Sequence, residues 1–177
     1  RFFSTPDASA DASATPAASA SPSLSPELQA QRATALSEPK PIKPPEASQN
    51  SEEGAVNAAF YFLQLYRYAF ITGDTADLAA MSEEGCVFCK STIDDAAKLH
   101  EGGGWVNPWT QELADVEYIP AGQGKKYCGV RARVKSGEST SMEGGGKIQQ
   151  EDYEEKTLLI ALRYDNEIWT VGGVAVE

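Results

Sequence analysis

The chain of 177 residues is poor in the residues that most often carry chemistry, with one histidine, three cysteines and two methionines. It is also short of positive charge: 15 Lys+Arg stand against 26 Asp+Glu, a net −11. No stretch reaches the ~18–20 consecutive apolar residues of a membrane span, and acidic excess is the wrong sign for neutralising a phosphate backbone. A membrane span and a nucleic-acid partner are therefore not expected. Cys86, Cys89, Cys128 and His100 add up to four ligands, but the long gap from Cys89 to Cys128 fits no compact zinc pattern. Nothing basic follows Gly102-Gly-Gly104, and Lys147 after Gly144-Gly-Gly146 opens no helix, so no phosphate-cradling loop is present. No nucleophile has a base beside it. No metal, cofactor or catalytic residue is expected from these residues.

Glycine is missing altogether from residues 1–50, which instead hold eight of the ten prolines. Ala, Ser, Thr and Pro alternate there without a period, and only Pro26 to Leu36 can form a transient helix. So few large apolar side chains cannot offset the roughly 1–2 kcal/mol per residue of backbone entropy that ordering costs. Residues 1–50 are accordingly expected to be a disordered tether, stiffened toward polyproline geometry at Lys40-Pro-Ile-Lys-Pro-Pro45. The remaining length suits one domain of ordinary size, residues 51–177, and excludes two large ones. That part holds nearly all of the charge imbalance, net −10; solubility accounts for it more simply than a cation-binding patch.

Val56, Ala59, Phe60, Leu63, Arg67 and Phe70 recur at helical spacing, one face apolar except at Arg67. They predict a helix over 52–72, ~31 Å long, ended by Gly73. A short helix from Thr75 to Met81 and a third from Phe88 to His100 should follow. From Trp105 onward the period becomes two. Cys128, Val130, Ala132 and Val134 alternate with mostly basic neighbours, a half-buried strand. Thr157 to Tyr164 and Glu167 to Val176 read as a hairpin turning at Asp165-Asn166. Leu113 to Pro120 supplies another strand, Val106 sits on an edge because of Pro108, and Ser136 to Asp152 reads as a long mobile hairpin loop. Helices first and antiparallel strands afterwards give an α+β domain with N-terminal helices on one face of a curved sheet.

Three segments carry a resemblance: Ala69-Phe-Ile-Thr-Gly-Asp74-Thr-Ala-Asp-Leu78, Gly85-Cys-Val-Phe-Cys-Lys90 and Leu162-Arg-Tyr-Asp-Asn-Glu-Ile-Trp-Thr-Val171. Over about residues 54–177 the chain resembles an uncharacterised family of actinobacterial envelope proteins, themselves similar to the cone-shaped nuclear-transport-factor-like (SnoaL-like, cystatin-like) fold. Such proteins typically carry a secretion signal, often with a lipid-modified Cys, ahead of an Ala/Ser/Pro-rich tether. The resemblance implies a chain outside the cytosol, secreted or lipid-anchored at the cell envelope, and it brings no known activity. The sequence as read opens at Arg1 without a charged and apolar leader, so export rests on the resemblance and the tether.

Cys86 and Cys89 are three residues apart at the start of the third helix, close enough for a local disulfide, which forms outside the cytosol. A thioredoxin-type pair is the active alternative, but the segment before Cys86 is acidic and raises a thiol's pKa. Metal ligation and a different pairing remain open. Cys128 lies on the apolar parity of its strand and is expected to be unpaired, the alternative being a bridge to Cys86 or Cys89. Cone-shaped enzymes use a pocket between the long helix and the sheet with an Asp or His as base. Asp94, Asp95, His100 and Tyr118 are the available groups, and none matches a catalytic motif. Tyr66, Trp105, Trp109, Tyr118 and Trp169 are the candidate pocket-lining residues. Three classes follow: a noncatalytic binding or assembly module for a small ligand or an envelope protein, a general-base lyase or isomerase, and a thiol oxidoreductase through Cys86 and Cys89.

Overall fold

The computed structural model describes residues 24–177. Four α-helices come first among them: α1 (Pro26–Leu36), α2 (Glu52–Thr72), α3 (Ala76–Met81) and α4 (Val87–Glu101). Seven strands follow: β1 (Trp105–Val106), β2 (Gln111–Ile119), β3 (Cys128–Ser136), β4 (Ser139–Met142), β5 (Ile148–Glu151), β6 (Glu154–Asp165) and β7 (Ile168–Val176). They form an antiparallel sheet of order β2-β3-β6-β7 and a smaller one of order β1-β4-β5. The fold is α+β, as the order of elements predicts.

Local chemistry sets the limits of α2. The Ser51 hydroxyl accepts from the Gly54 amide at 3.0 Å, Glu52 and Glu53 sit at the positive end, and Gly73 ends the helix at φ 80°. Its apolar side buries Phe62, Leu63, Leu65 and Ala69 against Val130, Ile160, Leu162 and Val171 of the larger sheet. Each large side chain buried this way contributes roughly 1.5–3 kcal/mol. Inward positions of β3 (Cys128, Val130, Ala132, Val134) face Leu162, Ile160, Leu158 and Lys156 of β6. β2 carries a bulge with Asp115 at φ 52°, and the Asp115 carboxylate is held by Arg133 at 2.7 Å. In the final hairpin the residues with positive φ are Asn166 and Glu167, one position later than expected.

Two expectations need correction. The stretch from Ser136 to Asp152 is not simply a loop, since β4 and β5 pair within it and β4 takes Trp105 and Val106 as partners. Its two glycine runs meet there: a Cβ on Gly144 would lie 1.5 Å from the Gly102 carbonyl oxygen, and one on Gly104 would lie 2.4 Å from that of Met142. The second correction concerns the boundary at residue 50. Ala35 and Ala47 are fully buried, Leu24 together with Leu28 and Ala35 of α1 packs on Ile71, Trp105 and Met142, and a 3-10 turn Pro45–Ser48 seats on the first turn of α2. The Trp169 indole donates to the Gln49 carbonyl at 2.8 Å, the Tyr164 hydroxyl donates to that of Ser48 at 3.2 Å, and Arg67 pairs with Glu38. Residues 24–50 are thus a strap fastened to the domain, while residues 1–23 of the expected tether lie outside the described residues. Alanine at positions 35 and 47 lets backbone close on its neighbours, so the strap needs few large apolar side chains beyond Leu24 and Leu28.

Candidate functional site

Between α2 and the larger sheet the core leaves an open cleft of about 120 Å³. Its walls are Leu63 and Tyr66 of α2, Phe88 of α4, Val134 of β3, Leu158 of β6 and Val176 of β7. Tyr66 and Phe88 stack with ring centroids 6.0 Å apart, and Tyr66 meets Phe70 edge-on at 5.2 Å. Burial holds the Tyr66 phenol above its usual pKa, so it is a neutral hydroxyl at ordinary pH. The polar rim consists of Gln111, Ser136, Glu154 and Lys156. Gln111 is already engaged, its amide donating to the Leu63 carbonyl at 3.1 Å, and Glu154 pairs with Lys156 at 2.9 Å.

The aromatic candidates divide. Tyr66 lines the cleft. Trp105 is fully buried in the second core, with its indole donating to the Asn107 side chain at 2.9 Å. Trp169 is 7 % exposed, meets Tyr164 edge-on and is tied to the strap. Trp109 lies under the Arg67 guanidinium, 5.5 Å from its centroid, while its carbonyl accepts from the Arg67 Nε at 2.6 Å. Tyr118 faces inward opposite Val130 and packs on the main core. The cleft residues that the sequence reading did not single out include Phe88, Gln111, Glu154 and Lys156. Their signal was present: the inward parity of Leu162, Ile160 and Leu158, carried two steps back along β6, lands on Lys156 and Glu154.

The titratable candidates do not meet at the cleft. Asp94 and Asp95 stand on the outer side of α4 along a shallow surface groove, where the Lys90 ammonium beside Asp94, at 2.8 Å, holds that carboxyl below its usual pKa. The His100 Nε2–H donates to the Phe70 carbonyl at 2.8 Å and fixes the end of α4 to the end of α2. Cys86 and Cys89 lie at disulfide-bonding distance, with sulfurs 2.08 Å apart and Cα atoms 5.2 Å apart. Both are 1 % exposed and packed in the main core, which shields the bond from an attacking thiolate. Cys128 is unpaired and buried, its thiol donating to the Leu162 carbonyl at 3.5 Å, and burial raises its pKa. Among the described residues no helix is long and apolar enough to cross a membrane.

A model described as a family of unknown function (DUF6318) matches residues 30–175, beginning inside the strap. No curated protein matches the chain. Among solved structures, the intermembrane space region of the chloroplast protein ARC6 is similar at a TM-score of 0.56 and 13 % identity, covering 72 % of this chain and 97 % of that one. Aln2 from a Streptomyces species matches at 0.44 and 14 %, covering 72 % and 91 %. At such identities the likeness concerns the fold alone.

Proposed function

The chain belongs to the family of unknown function DUF6318, and from that footing we propose that it is a noncatalytic binding or assembly module held at the cell envelope, outside the cytosol. One observation carries the reading: the space that a cone-shaped enzyme gives to its substrate is here reduced to about 120 Å³. Substrate pockets commonly enclose roughly 300–1,000 Å³. General-base chemistry needs an acceptor aimed at the reacting atom, whereas Asp94, Asp95 and His100 stand away from this cleft and the hydroxyl of Tyr66 stays protonated. The bonded pair Cys86 and Cys89 supports an oxidising compartment. Secretion or lipid anchoring beyond the membrane completes the proposal. Its partner is then an envelope protein or a ligand small enough for that cleft.

The test is one of stoichiometry. In the native host, abundance is lowered stepwise from a titratable promoter. A binder acts copy for copy, so the phenotype of the null strain should emerge in proportion to the missing chain. Full function at about a hundredth of native abundance would indicate turnover and would overturn the reading.

A further inference from the structure

The inner face of β6 changes character along its length. Leu162, Ile160 and Leu158 are buried in the main core, but the next residues of that parity, Lys156 and Glu154, are charged and oppose Val134 and Ser136 of β3. Inward charge on an edge strand serves to block aggregation. β7 ends at Val176, opposite Leu158, so at Lys156 and Glu154 β6 pairs with β3 alone, and the inward charge also guards that open edge. The two side chains are each 52 % exposed and touch at 2.9 Å, placing an ammonium and a carboxylate side by side at the rim of the cleft. That contact uses one of three ammonium donors and a fraction of the carboxylate's acceptor sites. Below them the throat is apolar.

We propose that the cleft takes a free aliphatic α-amino acid of about leucine's size, its ammonium on Glu154, its carboxylate on Lys156 and its side chain in the throat beside Phe88 and Leu158. The assignment rests on the reading of the chain as a noncatalytic binder and names its ligand class. Three constraints select it. The volume of about 120 Å³ is smaller than the cavity of about 150 Å³ that takes a benzene ring, which suits a branched four-carbon group. Adjacent opposite charges match a zwitterion, whose own two charges close an alternating ring of four. A domain of net −10 repels a simple anion, while a simple cation finds surface carboxylates anywhere on it. A zwitterion escapes both effects.

Titration calorimetry on the full chain, with L-leucine, 4-methylpentanoate and 3-methylbutylamine, separates the contributions. Leucine should bind roughly three- to tenfold more tightly than either single-charge analogue, the scale of one charged contact at a half-exposed rim. Lys156→Met should erase the advantage over the amine, and Glu154→Gln the advantage over the acid, with melting temperatures unchanged because both side chains sit at the surface. Ser136→Phe, which fills the mouth, should abolish binding of all three. Leucine binding no tighter than its analogues, an advantage that survives both rim substitutions, or no binding at the solubility limit of leucine overturns the assignment. The abundance experiment is independent of these outcomes, so the ligand can fail while the noncatalytic role stands.

Discussion

Gly54→Ala distinguishes a free tether from a seated strap by the sign of its effect. Gly54 lies in the first turn of α2, where alanine would ordinarily favour the helix by up to ~1 kcal/mol. A Cβ built there lies 1.8 Å from the Gln49 carbonyl oxygen and 3.2 Å from that of Glu46. Both neighbours are backbone, so neither can swing aside as the tip of a side chain would. Overpacking of this kind costs about 1–3 kcal/mol, and relief by lifting the strap sacrifices the Trp169 and Tyr164 hydrogen bonds to Gln49 and Ser48. Net destabilisation of about 2 kcal/mol, at a urea dependence of roughly 2 kcal/mol per molar, lowers the midpoint by about 1 M. The same variant should be cut faster after Glu46 by a glutamate-specific protease, since Ala47 is fully buried in the native chain. A midpoint that stays put or rises, with cleavage unchanged, would show that residues 45–49 do not sit on α2, and the case for the strap would fail with it.

Two further outcomes follow from the cysteines and from Glu83. Denatured without reductant, the chain should present one alkylatable thiol, Cys128, and three after reduction; replacing Cys86 and Cys89 together by alanine should cost only about 2 kcal/mol, because the loop that the bond closes is so short. Three thiols without reductant, in chain taken from its native compartment, would remove the argument for an oxidising location. Burial alone would raise the Glu83 pKa, but donation from the Tyr127 hydroxyl, the Thr170 hydroxyl and Arg163 outweighs it and leaves the carboxyl below its usual value. A depressed carboxyl contributes stability above its unfolded pKa of about 4.3 and loses it as pH falls through the lower folded value. Glu83→Gln should therefore weaken the chain at pH 7 by urea unfolding, and the difference from the native chain should shrink below about pH 4; a difference constant down to pH 3 would contradict this account.

What the sequence made legible was periodic. The 3.6-residue recurrence from Val56 to Phe70, the stop at Gly73 and the strict alternation of Cys128 to Val134 each announce an element because one face must be buried, and all three stand where expected. β4 and β5 gave no such signal. Ser139-Thr-Ser-Met142 and Ile148-Gln-Gln-Glu151 bury one side chain, Met142, between them, and are held by backbone pairing, while Gly144 between them lets the turn close on Gly102. The strap was hidden for a related reason: much of its contact is made by alanines and carbonyl oxygens, with Leu24, Leu28 and Glu38 scattered among them and no period to announce them. Aromatic content misdirected the search for the site, because a tryptophan whose indole finds a carbonyl or an amide oxygen nearby is as comfortable in a core as at a ligand, and Trp105 and Trp169 both found one.

The cleft was legible in a place that periodicity arguments tend to trim. A strand read from Thr157 stops at the last residue that looks like a strand, whereas β6 begins at Glu154. Extending the alternation backwards past Thr157 puts Lys156 and Glu154 on the same side as Leu158, Ile160 and Leu162. β6 runs past the end of β7 there, with β3 alone beside it, so the two charges stand at an open edge that solvent reaches. Solvent reaches half of each side chain, and what the two present is an ion pair at the mouth of an apolar throat beside the stacked rings of Tyr66 and Phe88.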